Sequence, residues 1–342
     1  MKKHLFLVLA CLVGTVQAFA SGCETDCCNP CSAPSDCCLD FDSKLYVSVG
    51  GGLRWDSISW KTSASGFNNG DFRQKWRDIK LGVIEADMAF LVNDHYLIKG
   101  DFDYGWVYGK SRLSTNTFGE SSAFASSSSN FSTRSRNGHA YDLSGGIGYQ
   151  FNFDCWSGSI APLVGYSYNY LQLRRGSFDL YDSSVSDNLS SSSNANTHRF
   201  RLSGPWFGFG ATYNVNCETL LYLDYAFHWT NFRAKLDEGL AFENTNTTFS
   251  RSYRKKNAYG NEVTLGGIYT LCDGFFAGLK FNYKNWYTSK GRNNSSPYNE
   301  GSGFGSSSNS SSSFSNSSGE NSRFRHLDWN TYMVTVDIGY TF

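Results

Sequence analysis

The last twelve residues, Thr331-Tyr-Met-Val-Thr-Val-Asp-Ile-Gly-Tyr-Thr-Phe342, constrain this chain more than any other stretch. Tyr332, Val334, Val336, Ile338, Tyr340 and Phe342 form one unbroken apolar face, while Thr331, Met333, Thr335, Asp337, Gly339 and Thr341 form a face that is mostly small or polar. A strand sends successive side chains to opposite sides, so strict period two means two different surroundings. The pattern recurs. Tyr96, Ile98, Phe102, Tyr104, Trp106 and Tyr108 alternate with Lys99, Asp101 and Asp103; Leu143, Ile147, Tyr149, Phe151 and Phe153 with Asp142, Ser144, Gln150 and Asn152. Leu221, Leu223, Tyr225, Phe227 and Trp229 oppose Tyr222, Asp224 and His228, and Phe275, Leu279, Phe281 and Tyr283 oppose Lys280, Asn282 and Lys284. A soluble sandwich rarely keeps aromatics along its whole apolar face while burying Asp and Lys on the other.

The N-terminus points to export. Lys2 and Lys3 precede an apolar run, Leu5 to Val13, and then Ala18-Phe19-Ala20. These are the charged, apolar and cleavage regions of a signal peptide, residues 1–20; the apolar run before Cys11 is too short to favour a lipoprotein signal. No other stretch approaches the ~18 apolar residues of a membrane helix. Entry into a membrane then requires a closed barrel, because lipid cannot satisfy an open sheet edge. Aromatics make up 17% of the chain, and 34 Gly against 5 Pro suit long strands. The formal net charge is zero, which gives no reason to expect nucleic acid or a general attraction to anionic surfaces. A closing alternation that stops on an aromatic resembles the last strand of bacterial outer-membrane barrels. That resemblance implies outer-membrane localisation, lipid as a partner, and Tyr340 and Phe342 as a signal read by the barrel assembly machinery.

Strands are expected at about 44–60, 79–93, 96–113, 138–153, 156–174, 199–215, 219–235, 259–271, 275–290 and 326–342. The second mixes its faces, with Leu81 and Val83 on the parity of Glu85 and Asp87; Ser203-Gly204-Pro205 in the sixth marks an expected bulge. Short connections fall near Asn93-Asp94-His95, Asp154-Cys155, Asn216-Cys217-Glu218 and Cys272-Asp273-Gly274, and long ones at 61–78, 114–137, 175–198, 236–258 and 291–325. Short periplasmic turns and long extracellular loops fit an all-β, transmembrane, antiparallel ten-strand barrel over residues 43–342. The long loops carry Ser/Asn tracts (Ser126–Asn130, Ser190–Asn194, Ser306–Ser318) whose composition cannot form a packed core.

Of 10 cysteines, Cys11 leaves with the signal peptide. Cys23, Cys27, Cys28, Cys31, Cys37 and Cys38 crowd a leader at residues 21–42; Cys155, Cys217 and Cys272 each fall in an expected short turn. All nine would share the periplasmic side, where disulfides are the default. An odd number leaves one thiol free or paired with another chain. Local disulfides within the leader and intermolecular cross-links to itself or to other cysteine-rich envelope proteins both remain open. A metal site is disfavoured: Cys28-Asn-Pro-Cys31 lacks a second well-spaced pair, and no cofactor is expected.

Signal peptide, Cys-rich leader, aromatic-rich barrel and terminal Phe342 together resemble the outer-membrane proteins of chlamydiae. The Gly/Ser/Asn-rich loops and strand count are most similar to the Protochlamydia outer membrane protein family. The resemblance implies a disulfide-linked structural role and porin-like passage of small solutes or ions.

Alternation places Arg54, Asp56, Glu85, Asp87, Lys99, Asp101, Asp103, Asp142, Asp224, His228, Glu262, Lys280, Lys284 and Asp337 on the lumen side. A carboxylate excess would favour cations in an open pore. A barrel this narrow can instead be filled by its side chains, with Lys280 and Lys284 reaching Glu262 and Asp337. Ten strands with long loops also resemble the omptin surface proteases, which carry an aspartate pair facing an Asp-x-His pair. Here Asp101-Phe-Asp103 lies in the periplasmic half of its strand, no Asp-x-His occurs, and His326-Leu-Asp328 has the reverse order. Gly-x-Ser-x-Gly and His-Glu-x-x-His are absent too, and no carboxylate is evident to orient His228, so no enzyme is expected. Phe67, Phe124, Phe131, Phe249 and Phe304 in the long loops leave open an adhesin that holds a partner there.

Overall fold

The computed structural model describes residues 45–63, 71–93, 95–109, 111–118, 131–135, 137–153, 157–174, 197–216, 218–242, 245–271, 274–288 and 323–342. The expected signal peptide and leader, all nine mature cysteines, the Ser/Asn tracts, and Phe67, Phe124 and Phe304 lie outside the described residues.

Every described element is a strand: β1 (Leu45–Ser63), β2 (Asp71–Val92), β3 (Tyr96–Val107), β4 (Ser111–Phe118), β5 (Phe131–Ser135), β6 (Asn137–Tyr149), β7 (Phe151–Phe153), β8 (Gly158–Arg174), β9 (Thr197–Asn214), β10 (Thr219–Phe242), β11 (Thr245–Thr270), β12 (Phe275–Thr288) and β13 (Arg323–Thr341). They form one antiparallel sheet that closes because β1 pairs with both β2 and β13. The barrel has ten staves. β3 and β4 are two pieces of one, since both pair with β2; β5, β6 and β7 are pieces of the next. Phe342 completes the closure, donating its N–H to the Leu45 carbonyl at 2.9 Å.

One end of the barrel has short turns with recognisable chemistry. Asn93 (φ 51°) and Gly274 (φ 80°) adopt the left-handed backbone a tight reversal needs. Asn216 Oδ1 accepts the N–H groups of Glu218 (3.0 Å) and Thr219 (2.7 Å), an Asx turn.

At the other end the staves run further than the alternation indicates. β2 begins at Asp71, not near 79, and β10 and β11 run on through 236–258 until only 243–244 separate them. Phe131 and Phe249 are therefore strand residues rather than loop anchors. The cause is a pair of bulges. Asp78 (φ 57°) interrupts the β1–β2 ladder and Asn257 (φ 70°) the β10–β11 ladder. Each extra residue flips the parity of what lies beyond, so Trp76 and Ile79 both face inward, as do Lys255 and Ala258. The period breaks in the sequence where the strand does not. The bulge expected at Ser203-Gly204-Pro205 is absent: β8 and β9 pair there without a register shift.

The outer face carries the lipid-type surface. Val49, Ile84, Leu143, Ile147, Val164, Phe207 and Leu265 stand exposed along its middle. Aromatics flank them at both levels: Tyr96, Tyr149, Phe151 and Phe275 near the short turns, and Trp106, Tyr141, Tyr168 and Trp229 towards the long-loop end. An apolar band between two aromatic girdles is the exterior of a membrane barrel. The core is thus the barrel interior.

Candidate functional site

The fourteen polar side chains assigned to the lumen all occupy the inner face, and most are tied to one another across it. β12 supplies the central cations. Lys284 Nζ lies 3.1 Å from Asp142, 3.3 Å from Glu262 and 3.9 Å from Asp103. β6, which carries Asp142, stands five staves away on the opposite wall, so this pair spans the full width of the barrel. Arg54 Nη1 on β1 meets the same Asp142 carboxylate at 3.0 Å, and its Nε reaches Asp56 at 3.1 Å. Asp56 also accepts the Thr331 hydroxyl at 2.6 Å, and the Asn169 amide faces Asp142 at 3.2 Å. Lys280, two inward positions nearer the short-turn end, crosses to Glu85 (3.0 Å) and Asp87 (2.7 Å) on β2. Asp101 and Asp337 lie in the field of Lys284 and Lys280 respectively. Lys284 meets Glu262 as the side-chain parity allows, whereas Lys280 turns away across the lumen.

The lumen is layered. Nearest the short turns, a cavity of about 490 Å³ is lined by Gln150, Asn152, Asn214, Asp87, Lys99 and Asp224. Lys99 and Asp224 pair there at 2.8 Å with both side chains partly exposed. The cavity reaches up to Trp206, Lys284 and Met333, where the ion-pair belt fills the cross-section. Above the belt the interior is dominated by apolar side chains, with Gln74, His198 and Lys255 buried among them, where a polar lumen is expected for this architecture. Trp60, Trp76, Trp286, Trp329, Phe200 and Phe232, drawn from six strands, are each at most 1% exposed and belong to one continuous cluster. Leu81 and Val83, which seemed to spoil the second strand's alternation, are the inward apolar residues of this layer. Small residues make the room: a Cβ on Gly260 would collide with the Trp286 ring, and one on Gly165 with Trp206. His198 is also held here, accepting the Trp76 indole N–H at 3.1 Å.

His228 corrects the sequence reading. It does have an orienting carboxylate: Nε2 lies 3.1 Å from Glu262 Oε2, and Nδ1 lies 3.0 Å from the Ser167 hydroxyl. Its ring also packs on Trp286, with centroids 4.7 Å apart. Glu262 faces Ala226 in the β10–β11 register, so it sits diagonally from His228 on one face. Equal parity on consecutive strands was the available signal. Ser167, Asn169, Thr331, Asn282 and the tryptophans give no sequence signal of a site, because small polar and aromatic residues on an inner face look unremarkable in one strand at a time. Hydroxyl, imidazole and carboxylate stand in the order of a nucleophilic relay. Ser167, however, is buried and does not line the cavity, and the strand N–H groups around it are engaged in ladder bonding.

A family model and one solved structure agree with this architecture. A family model described as Protochlamydia outer membrane protein matches residues 48–342. No curated protein matches the sequence. Among solved structures, the outer membrane protease OmpT from Escherichia coli is 10% identical, with 87% of this chain and 97% of that chain covered and a TM-score of 0.60. The Pseudomonas putida toluene transporter TodX is also 10% identical, covering 87% and 90%, with a TM-score of 0.33. A Pseudomonas aeruginosa FadL homologue is 9% identical over 87% and 90%, at 0.28. At 10% identity the likeness to OmpT is one of fold alone.

Proposed function

Because the chain belongs to the Protochlamydia outer membrane protein family, we propose that it is a structural barrel of the outer membrane with a closed lumen, anchored to its neighbours by periplasmic cysteines and not conducting solutes freely. The observation that carries this reading is the pair of stacked seals: an ion-pair belt that crosses from β12 to β6, capped by tryptophans at most 1% exposed. Solute passage would require charges to leave partners they meet in a water-poor interior, and an apolar layer to open. The test is swelling of proteoliposomes in arabinose. Vesicles carrying folded protein should swell no faster than protein-free ones; swelling graded by sugar size would reject the closed lumen.

Non-enzymatic function is part of the same proposal. OmpT is named a protease, but the fold likeness does not transfer its activity, and this sequence contains no Asp-x-His. The Ser167–His228–Glu262 chain lacks both access and free N–H donors for an oxyanion, which supports a structural reading of it.

Cross-linking rests on chain position. In chain order Cys155 falls between β7 and β8, Cys217 between β9 and β10 and Cys272 between β11 and β12, pairs of strands whose adjoining ends share the barrel end from which β1 starts. Export through a cleaved signal peptide and recognition of Tyr340 and Phe342 by the assembly machinery belong to the same reading. Envelopes run without reductant should show a ladder of high-mass species that collapses on reduction. A single monomer band in both lanes would remove the cross-linking role and leave the closed barrel standing.

A further inference from the structure

The formal neutrality of the chain conceals a segregation of charge. Among the described residues nine carboxylates against five cations, Lys255 included, face the lumen, so the rest of the chain carries the cationic excess. Part of that excess is arranged in a way that sheet energetics does not explain. In the β9–β10 register Arg233 lies directly opposite Arg201, and in the β10–β11 register directly opposite Arg254. All three side chains are exposed on the outer face. Directly opposed residues stand about 4.5–5.5 Å apart at Cβ, and like charges there are destabilising. No carboxylate among the described residues pairs with any of the three. Arg201 is held over the Tyr168 ring, 5.5 Å from its centroid, within the stack of Tyr141, Tyr168 and Tyr170. A second row follows one step further from the membrane centre, with Lys235 opposite Arg199.

Position says what this row meets. Trp229, exposed on the same strand as Arg233, belongs to the upper aromatic girdle, and Arg233 lies four residues beyond it. At ~3.3 Å per residue and a tilt of ~40°, Arg233 stands about 10 Å above Trp229, while Arg201 reaches down to the girdle at Tyr168. That is the level of the headgroups of the outer leaflet, on the long-loop side. The side chains are neither in hydrocarbon nor free in bulk water. Three planar guanidinium forks on neighbouring strands match tetrahedral anions that accept paired N–H donors.

We propose that Arg201, Arg233 and Arg254 form a binding site for the phosphate groups of a phosphorylated outer-leaflet lipid. The bound phosphates neutralise the row and fix the lipid to one sector of the barrel. The site depends on insertion in the membrane and not on whether the lumen conducts.

The test uses the full mature chain folded in detergent and titrated with diphosphorylated lipid A, with binding read by native mass spectrometry. The triple variant R201Q/R233Q/R254Q should bind at least tenfold more weakly, and dephosphorylated lipid A should bind the wild type as poorly. Folding is checked by heat-modifiable electrophoretic mobility. Should the triple variant not fold, Arg233→Gln alone supplies a reading of opposite signs: a higher melting temperature than wild type without lipid, because repulsion is relieved, and a lower one with lipid A. Arg77→Gln, on β2 across the barrel, should bind like wild type. Equal binding by the triple variant, equal weakening by Arg77→Gln, or full displacement of lipid A by millimolar inorganic phosphate would overturn the proposal.

Discussion

Replacing Lys284 with alanine is expected to lower the unfolding free energy of the barrel by about 3–5 kcal/mol, the range for breaking a buried ion pair by removing one partner. The magnitude follows from what is left behind. Lys284 is the shared cation of Asp142, Glu262 and Asp103, and its ammonium is almost wholly withdrawn from solvent. Its loss strands carboxylates between two walls of the barrel, with Arg54 the remaining cation beside Asp142. Lys99→Ala provides the contrast. Lys99 and Asp224 pair at a shorter distance, 2.8 Å, but their side chains are 34% and 27% exposed. Solvent screening limits such a pair to roughly 0–1 kcal/mol. Urea unfolding in phospholipid vesicles, followed by tryptophan fluorescence, measures both. Equal small losses would mean that water penetrates the belt and that the interior is not sealed there.

The second large effect is expected at Trp286. It is 1% exposed, packs on His228 at 4.7 Å, and occupies the notch that Gly260 leaves on the neighbouring strand. Truncation to alanine removes the transfer energy of the indole and leaves a void that surrounding strands cannot close, a cost of about 3–5 kcal/mol. The same unfolding assay reads it. The variant should nevertheless stay as tight to solutes as the wild type, because the ion-pair belt below it is untouched. A Trp286→Ala barrel with unchanged stability would show that the apolar layer is not close-packed.

The exterior of this fold was legible residue by residue; the interior was not. Alternation such as Tyr332, Val334, Val336 and Ile338 against Asp337 states directly which face meets lipid, since one strand carries that information alone. The closing strand, the short turns and the inner-face placement of fourteen charged or titratable residues follow from it. What escapes is whatever depends on a partner strand or on a shift of phase. Asp78 and Asn257 each add one residue to a ladder, and the alternation ends there while the strand goes on. The apolar lid is invisible for a related reason. Trp76, Leu81 and Val83 face inward with Glu85, so hydrophobicity does not separate lumen from lipid on β2. Pairings such as Lys284 with Asp142 join staves on opposite walls, and nothing in either strand indicates its counterpart. Charge behaves likewise. A zero sum hides acid inside and three aligned arginines outside.

The most direct test is single-channel recording of the folded mature chain in planar lipid bilayers under an applied potential. With belt and lid both in place, the baseline should stay flat after verified insertion, at a sensitivity that detects ordinary porins. Discrete, reproducible opening steps from the wild-type barrel would show an ion path through its centre and contradict the sealed interior.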